Sequence, residues 1–191
     1  MKKSTMRITV VFVIVIVLVV GYYAYLSGKS RNTGNEAKMT AVQIVLSRDM
    51  QKDYPPTVKE VVKYYTEIQK CLYNEECTDE EVELLGLRAR ELYDEELLEN
   101  NEETNNLLQL KSEVASFRSE EKKINSVSVA SSVNVDSFTE DGYEFARIQC
   151  NYTMLEKGKS TLNSTVYLLR RDEDRRWKIY GWDFAQNVNP Q

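Results

Sequence analysis

Nineteen consecutive residues, Ile8 to Leu26, carry no charged side chain, and no other stretch of this sequence limits its folding so strongly. At about 1.5 Å per residue such a run spans about 28 Å as a helix, close to the hydrocarbon thickness of a bilayer. Val and Ile, which dominate it, are mediocre helix formers in water. In lipid the backbone must satisfy its own hydrogen bonds, so helix is the only open choice. Tyr22, Tyr23 and Tyr25 sit at one end, where amphipathic rings favour the headgroup layer. The run predicts a transmembrane helix over residues 8–26 that takes the lipid bilayer as its partner.

Orientation follows from the flanks. Lys2, Lys3, Arg7 and the amino terminus precede the span, while Lys29, Arg31 and Lys38 follow it, so the cation bias is slight. The short tail, residues 1–7, favours a cytoplasmic N-terminus and a C-terminal domain outside the cytosol, in a single-pass, signal-anchor arrangement at the cell membrane. The rival reading is a cleaved signal peptide. The run is long for one and its flank lacks A-x-A, although Gly28-Lys-Ser30 has small residues at the required spacing. No Cys follows the span before Cys71, which removes lipoprotein processing.

Beyond the span the charge balance changes. The chain has 25 basic and 30 acidic residues, of which five and one lie in the first 37, leaving 20 and 29 and a formal charge of −9. An acidic domain repels phosphate backbones, so nucleic acid is not an expected partner. There is no histidine. That excludes Ser-His-Asp and Cys-His catalysis, the HExxH zinc motif and CxxCH haem attachment. Any general acid or base would be a carboxylate, Lys, Tyr or Cys.

Ser27 to Lys38 reads as a polar linker, leaving residues 39–186 for one domain. A short helix is predicted in Thr40–Met50, stopped by Tyr54-Pro55-Pro56. Thr57-Val-Lys-Glu60 matches a capping box, and Val58, Val61, Val62, Tyr65, Ile68 and Leu72 recur at helical spacing to Tyr73. Thr78-Asp-Glu-Glu81 opens another helix, with Val82, Leu85, Ala89, Leu92 and Tyr93 on one face. A further helix runs from Glu103 to Glu121, with Leu107, Leu110, Val114 and Phe117 inward. The period then changes from 3.6 to 2. Val127, Val129, Val133 and Val135 alternate in a first strand. Asp141-Gly142 turns into a second, Tyr143–Leu155, in which Ile148, Cys150, Tyr152 and Met154 share a face. Tyr143 and Phe145 fall on the other parity, which predicts a bulge near Ala146. Lys157-Gly158 and Asp172–Arg175 turn into strands Thr161–Arg171 and Trp177–Phe184. Helices first and a meander second is the α+β pattern. The expected architecture is three to four helices packed on a curved four-stranded antiparallel sheet.

The segment Val166-Tyr-Leu-Leu-Arg-Arg-Asp-Glu-Asp-Arg-Arg-Trp177-Lys-Ile-Tyr-Gly-Trp182 resembles the terminal hairpin of nuclear-transport-factor-2-like (NTF2-like, cystatin-like cone) domains. The Tyr54-Pro-Pro-Thr-Val-Lys-Glu-Val-Val stretch and the anchor look like a family of uncharacterised, membrane-anchored clostridial proteins. The likeness would cover roughly residues 40–185. The helical half departs from the commonest order, since no strand is evident between the second and third helices. The superfamily includes ketosteroid-isomerase-like enzymes, binding modules and assembly domains, so the fold fixes no activity.

A cone-shaped domain leaves room for a pocket between helices and sheet, and Tyr65, Tyr93, Tyr152, Tyr167, Trp182 and Asp183 are its candidate lining. The blander reading is that these rings fill the core and Asp183 lies at a strand end. Cys71 and Cys77 flank a loop between two helices, as a disulfide outside the cytosol or as independent thiols beside Cys150. Acidic runs at Glu75–Glu83 and Asp94–Glu103 read as solvated helix faces rather than cation sites. The Asp136–Gly142 turn fails the calcium-loop pattern at Phe138. Two glycosylation sequons, at Asn151 and Asn163, lie inside strands, and Ser119-Glu-Glu-Lys122 stands without the partners of an acyl-enzyme site. No metal or cofactor is expected. The expected function is non-catalytic binding of an envelope protein or small ligand by a tethered domain. An assembly component of a conjugation or secretion machine is the alternative, and a ketosteroid-isomerase-like enzyme comes third.

Overall fold

A computed structural model describes residues 39–185. The predicted tail, membrane span and linker, residues 1–38, lie outside the described residues. Among the described residues no helix is long and apolar enough to cross a membrane.

Among the described residues five helices come first: α1 Ala41–Leu46, α2 Val58–Asn74, α3 Asp79–Arg90, α4 Glu95–Glu99 and α5 Glu103–Ser119. Each begins on a side chain that takes up free amides of its first turn. Thr40 and Thr78 form complete capping boxes with Gln43 and Glu81. At Thr57 the expected box is half made: the Thr57 hydroxyl accepts from the Glu60 amide but donates its own proton to the Glu60 carboxylate. The apolar faces read from the sequence are the buried ones, with Val61, Val62, Ile68 and Leu85 fully enclosed. On α5 only Val114 is fully buried, while Leu110 and Phe117 pack partly against the core. Helix α1 ends at Leu46, short of the expected Met50, and Arg88 donates to the carbonyls of Leu46 and Arg48 at 3.1 and 2.8 Å.

The sheet has five strands, not four: β1 Lys122–Val129, β2 Asp136–Glu140, β3 Tyr143–Glu156, β4 Lys159–Arg171 and β5 Trp177–Phe184. It is curved and antiparallel, ordered β1-β3-β4-β5, with β2 also paired to β3. The single strand expected over Val127–Val135 divides because a 3-10 turn, Ser132–Asn134, interrupts it and leaves Val133 88% exposed. Both short hairpins have two central residues with positive φ, Asp141 and Gly142, then Lys157 and Gly158. That is the twist-matched geometry for a two-residue loop.

The bulge expected near Ala146 is absent, since β3 pairs with β4 without a break from Phe145 to Glu156. Phe145 instead packs on the other face, stacked on Phe138 at 5.5 Å and edge-on to Tyr180. Register shifts occur elsewhere, at Ile124/Ser126 in β1 and opposite Leu168/Leu169 in β5. The second shift has a consequence for the core. Ile179 pairs with Leu169 and Trp182 with Tyr167. The extra residue, Tyr180, puts Ile179 and Trp182 on one face although three positions separate them.

Helices and sheet are tied by specific polar contacts. The Asn74 side chain at the end of α2 donates to the Ile124 carbonyl and accepts from the Ile124 amide, each at 2.9 Å. Between α3 and α4 the chain touches the sheet edge as a single parallel bridge, Tyr93 to Ile179.

Candidate functional site

Helix α2 lays Tyr65, Gln69 and Tyr73 along one line, at spacings of four residues. Facing them are Tyr93 beyond α3, Tyr152 on β3, Tyr167 on β4 and Trp182 on β5. Four of the rings, Tyr65, Tyr93, Tyr167 and Trp182, form one cluster, while Tyr73 packs on Phe117. The Tyr65 centroid lies 5.9 Å from Tyr93, 5.8 Å from Tyr167 and 5.9 Å from Trp182. Trp182 is 5.9 Å from Tyr93 and 6.1 Å from Tyr167. These tilted and edge-on arrangements suit the ring quadrupoles.

The phenol oxygens of Tyr65, Tyr93, Tyr152 and Tyr167 pair among themselves or with Gln69. Tyr65 and Tyr93 hydroxyls are 3.1 Å apart, and those of Tyr152 and Tyr167 are 2.6 Å apart. Tyr152 also donates to Gln69 Oε1 at 2.7 Å. Burial pushes Tyr65, Tyr93, Tyr152 and Tyr167 above the ordinary phenol value. Tyr73 is also raised, by burial first and then by the nearby Glu113 carboxylate, to which it donates at 2.7 Å. All five therefore remain neutral near pH 7, so none is a ready base.

Two hollows open beside this cluster, of about 330 and 420 Å³. They share Gln69, Tyr73, Glu113 and Trp182 in their walls. The first is closed by α3 and α5, with Asn106 and Gln109 at its polar side, and the second by β1, β3 and β4. Trp182, 47% exposed, belongs to both.

The candidate residues are thus brought together, with one distinction among them. Tyr65, Tyr152 and Tyr167 are largely buried, so they serve as packing as much as lining. Asp183 lies exposed at the end of β5, in the wall of the second hollow, where it accepts from the Phe184 amide at 2.7 Å. Sequence reasoning missed Gln69, Tyr73 and Glu113. The i, i+4, i+8 line from Tyr65 would have found the first two, but Glu113 beside Val114 has no local signal.

Cys71, Cys77 and Cys150 are free thiols. Cys71 is turned into the core, and the Cys77 thiol donates to the Cys71 carbonyl oxygen at 3.3 Å instead of meeting its sulfur. Among the described residues, no three His, Cys, Asp or Glu side chains converge as a metal site would require.

Fold and site together define an α+β domain in which helices cover a curved antiparallel sheet beside an aromatic-walled hollow. The chain belongs to the family described as Domain of unknown function (DUF6715), whose sequence model matches residues 1–182. No curated protein matches it.

Proposed function

We propose that this chain is a single-pass membrane protein whose domain outside the cytosol binds a small ligand, or a side chain of an envelope protein, without catalysis. The observation that carries the reading is the pair of hollows meeting at Trp182, where a half-exposed indole and the Tyr73 ring form part of their walls. A solid core would offer nothing comparable. The raised phenols favour binding over acid–base work. The uncharged run Ile8–Leu26 supports the tether, with the N-terminus cytoplasmic. Helices over a curved antiparallel sheet suit an NTF2-like domain, in which the space between the layers is the natural ligand position.

The test uses the full chain in nanodiscs of zwitterionic lipid and a neutral aromatic probe, 2-phenylethanol, followed by calorimetric titration. Binding above that of empty discs is expected for the native chain. It should be lost in Trp182→Ala and in Gln109→Trp, which open and obstruct the hollow by different routes. Equal heats from native and both folded variants would refute the reading.

A further inference from the structure

We infer that the hollow selects organic cations, in the form of a primary or quaternary amine carried on an apolar body. The inference rests on the ligand-binding reading above and assigns it a chemical class.

The walls determine the sign of charge they accept. Among the residues lining the two hollows there is no Lys or Arg, whereas Glu113 faces both and Asp183 the second. Arg90, which donates to Asn101 and Asn106 at the first hollow, is ion-paired with Glu103 at 3.7 Å. An anion entering would meet the Glu113 carboxylate with no Lys or Arg in the lining beside it, and would lose its hydration for nothing.

The rings supply the attraction. Tyr65, Tyr73, Tyr93 and Trp182 line the first hollow, and Trp presents the ring face most favourable to cations. Each ring contributes through its negative quadrupole, and an ammonium near Trp182 would also lie within reach of a wall that carries Glu113. The Tyr73 hydroxyl bonds one Glu113 oxygen and so holds the carboxylate against the hollow. Apolar lining from Leu72, Ala89, Leu97 and Leu110 suits the uncharged part of such a ligand. The −9 formal charge of residues 38–191 acts in the same direction at long range, raising the local concentration of cations.

Three probes on one skeleton test the assignment: phenethylamine, 2-phenylethanol and phenylacetate, titrated into the full chain in nanodiscs of zwitterionic lipid. The amine is expected to bind about tenfold tighter than the alcohol, and the acid more weakly than either. Glu113→Gln keeps an acceptor for Tyr73 while removing the charge, and should bring the amine down towards the alcohol. Trp182→Ala should abolish binding of both. If the alcohol binds in a Trp182-dependent way and the amine no better, the cation assignment is overturned while the ligand-binding reading stands. If the acid binds tightest, the sign of charge is wrong. If neither alcohol nor amine binds in a Trp182-dependent way, the assignment and the reading fall together.

Discussion

Arg170 on β4 grips Asp94 with two hydrogen bonds, Nε to Oδ2 at 3.0 Å and Nη2 to Oδ1 at 2.5 Å. Asp94 is 3% exposed and also caps α4, its Oδ1 accepting from the Glu96 amide at 3.1 Å. The guanidinium lies 4.8 Å from the Tyr143 ring and 4.9 Å from Tyr180, and reaches Glu96 as well. Burial would lower the Arg170 pKa, but these carboxylates outweigh it and raise the value. Removing Arg170 leaves the Asp94 carboxylate buried without a charge partner, and removing Asp94 leaves Arg170 only the half-exposed Glu96. Asp94→Ala is therefore expected to cost about 3 kcal/mol in urea unfolding. In a double-mutant cycle, Asp94→Ala with Arg170→Met should cost clearly less than the sum of the two single changes.

Acid should weaken the fold through carboxylates whose protons are lost more readily in the folded chain. Glu96 lies below the ordinary carboxylate value because Tyr180 and then Arg170 donate to it. Glu102 does so because the Asn105 and Thr104 amides donate to it at the start of α5. A carboxyl with a depressed folded pKa stabilises the fold fully above its unfolded value of about 4.5. That stabilisation disappears as pH falls through the folded value. The urea midpoint should therefore be flat from pH 7 to about 5 and decline below about 4.5, with a shallower decline in Glu102→Gln. A midpoint that rises on acidification would contradict the assignment.

Much of this was legible in the sequence because local signals and tertiary structure agree. The Thr78 capping box, the Val82/Leu85/Ala89 stripe and the Trp177–Phe184 strand required no knowledge of distant contacts. The misreadings arise where a local pattern has two solutions. Val127 to Val135 alternates like one strand, yet the 3-10 turn at Ser132–Asn134 splits it into β1 and β2. Phe145 and Ile148 have opposite parity, which a bulge would reconcile. The structure satisfies both by using two faces of an unbroken strand. Shifts occur instead at Ile124/Ser126 and at Tyr180, and Tyr180 meets Glu96 at 2.7 Å, a partner 84 positions away that no local pattern announces. The aromatic cluster was readable from residue type and period. Glu113 was not, because its place at the hollow is set by how α5 lies against α2.

The three thiols should be distinguishable by reactivity. Burial pushes Cys71 and Cys150 up to about 11, and raises Cys77 as well, though Cys77 is only half-buried. Since the thiolate is the reacting species and access is also required, Cys77 should alkylate first in the native chain at neutral pH. Cys71 and Cys150 should follow only on unfolding. Intact mass after denaturing alkylation without reductant should show three adducts. A single adduct would mean that two of the three are bridged, contrary to the free thiols of the structure.

Gly86 marks a close approach of α3 to α5. A Cβ there would lie 2.7 Å from Leu107 Cδ2 and 2.8 Å from Leu110 Cδ2, both closer than carbon atoms tolerate. Alanine in a helix interior normally gains up to about 1 kcal/mol over glycine. Here the two leucine tips must turn aside, and overpacking of this kind costs on the order of 1–3 kcal/mol. Because the atoms met are flexible leucine tips beside a hollow, the two effects come close to cancelling, and Gly86→Ala is expected to lose less than about 1 kcal/mol in urea unfolding. Gly86→Val should lose more, since its branched carbon cannot turn from both leucines at once. Leu110 and Gly86 also line the first hollow, so a displaced leucine tip changes its volume. In the probe titration Gly86→Ala should therefore weaken 2-phenylethanol binding while the domain remains folded. A variant that gains stability and keeps full binding would show that α3 and α5 can move apart at this contact.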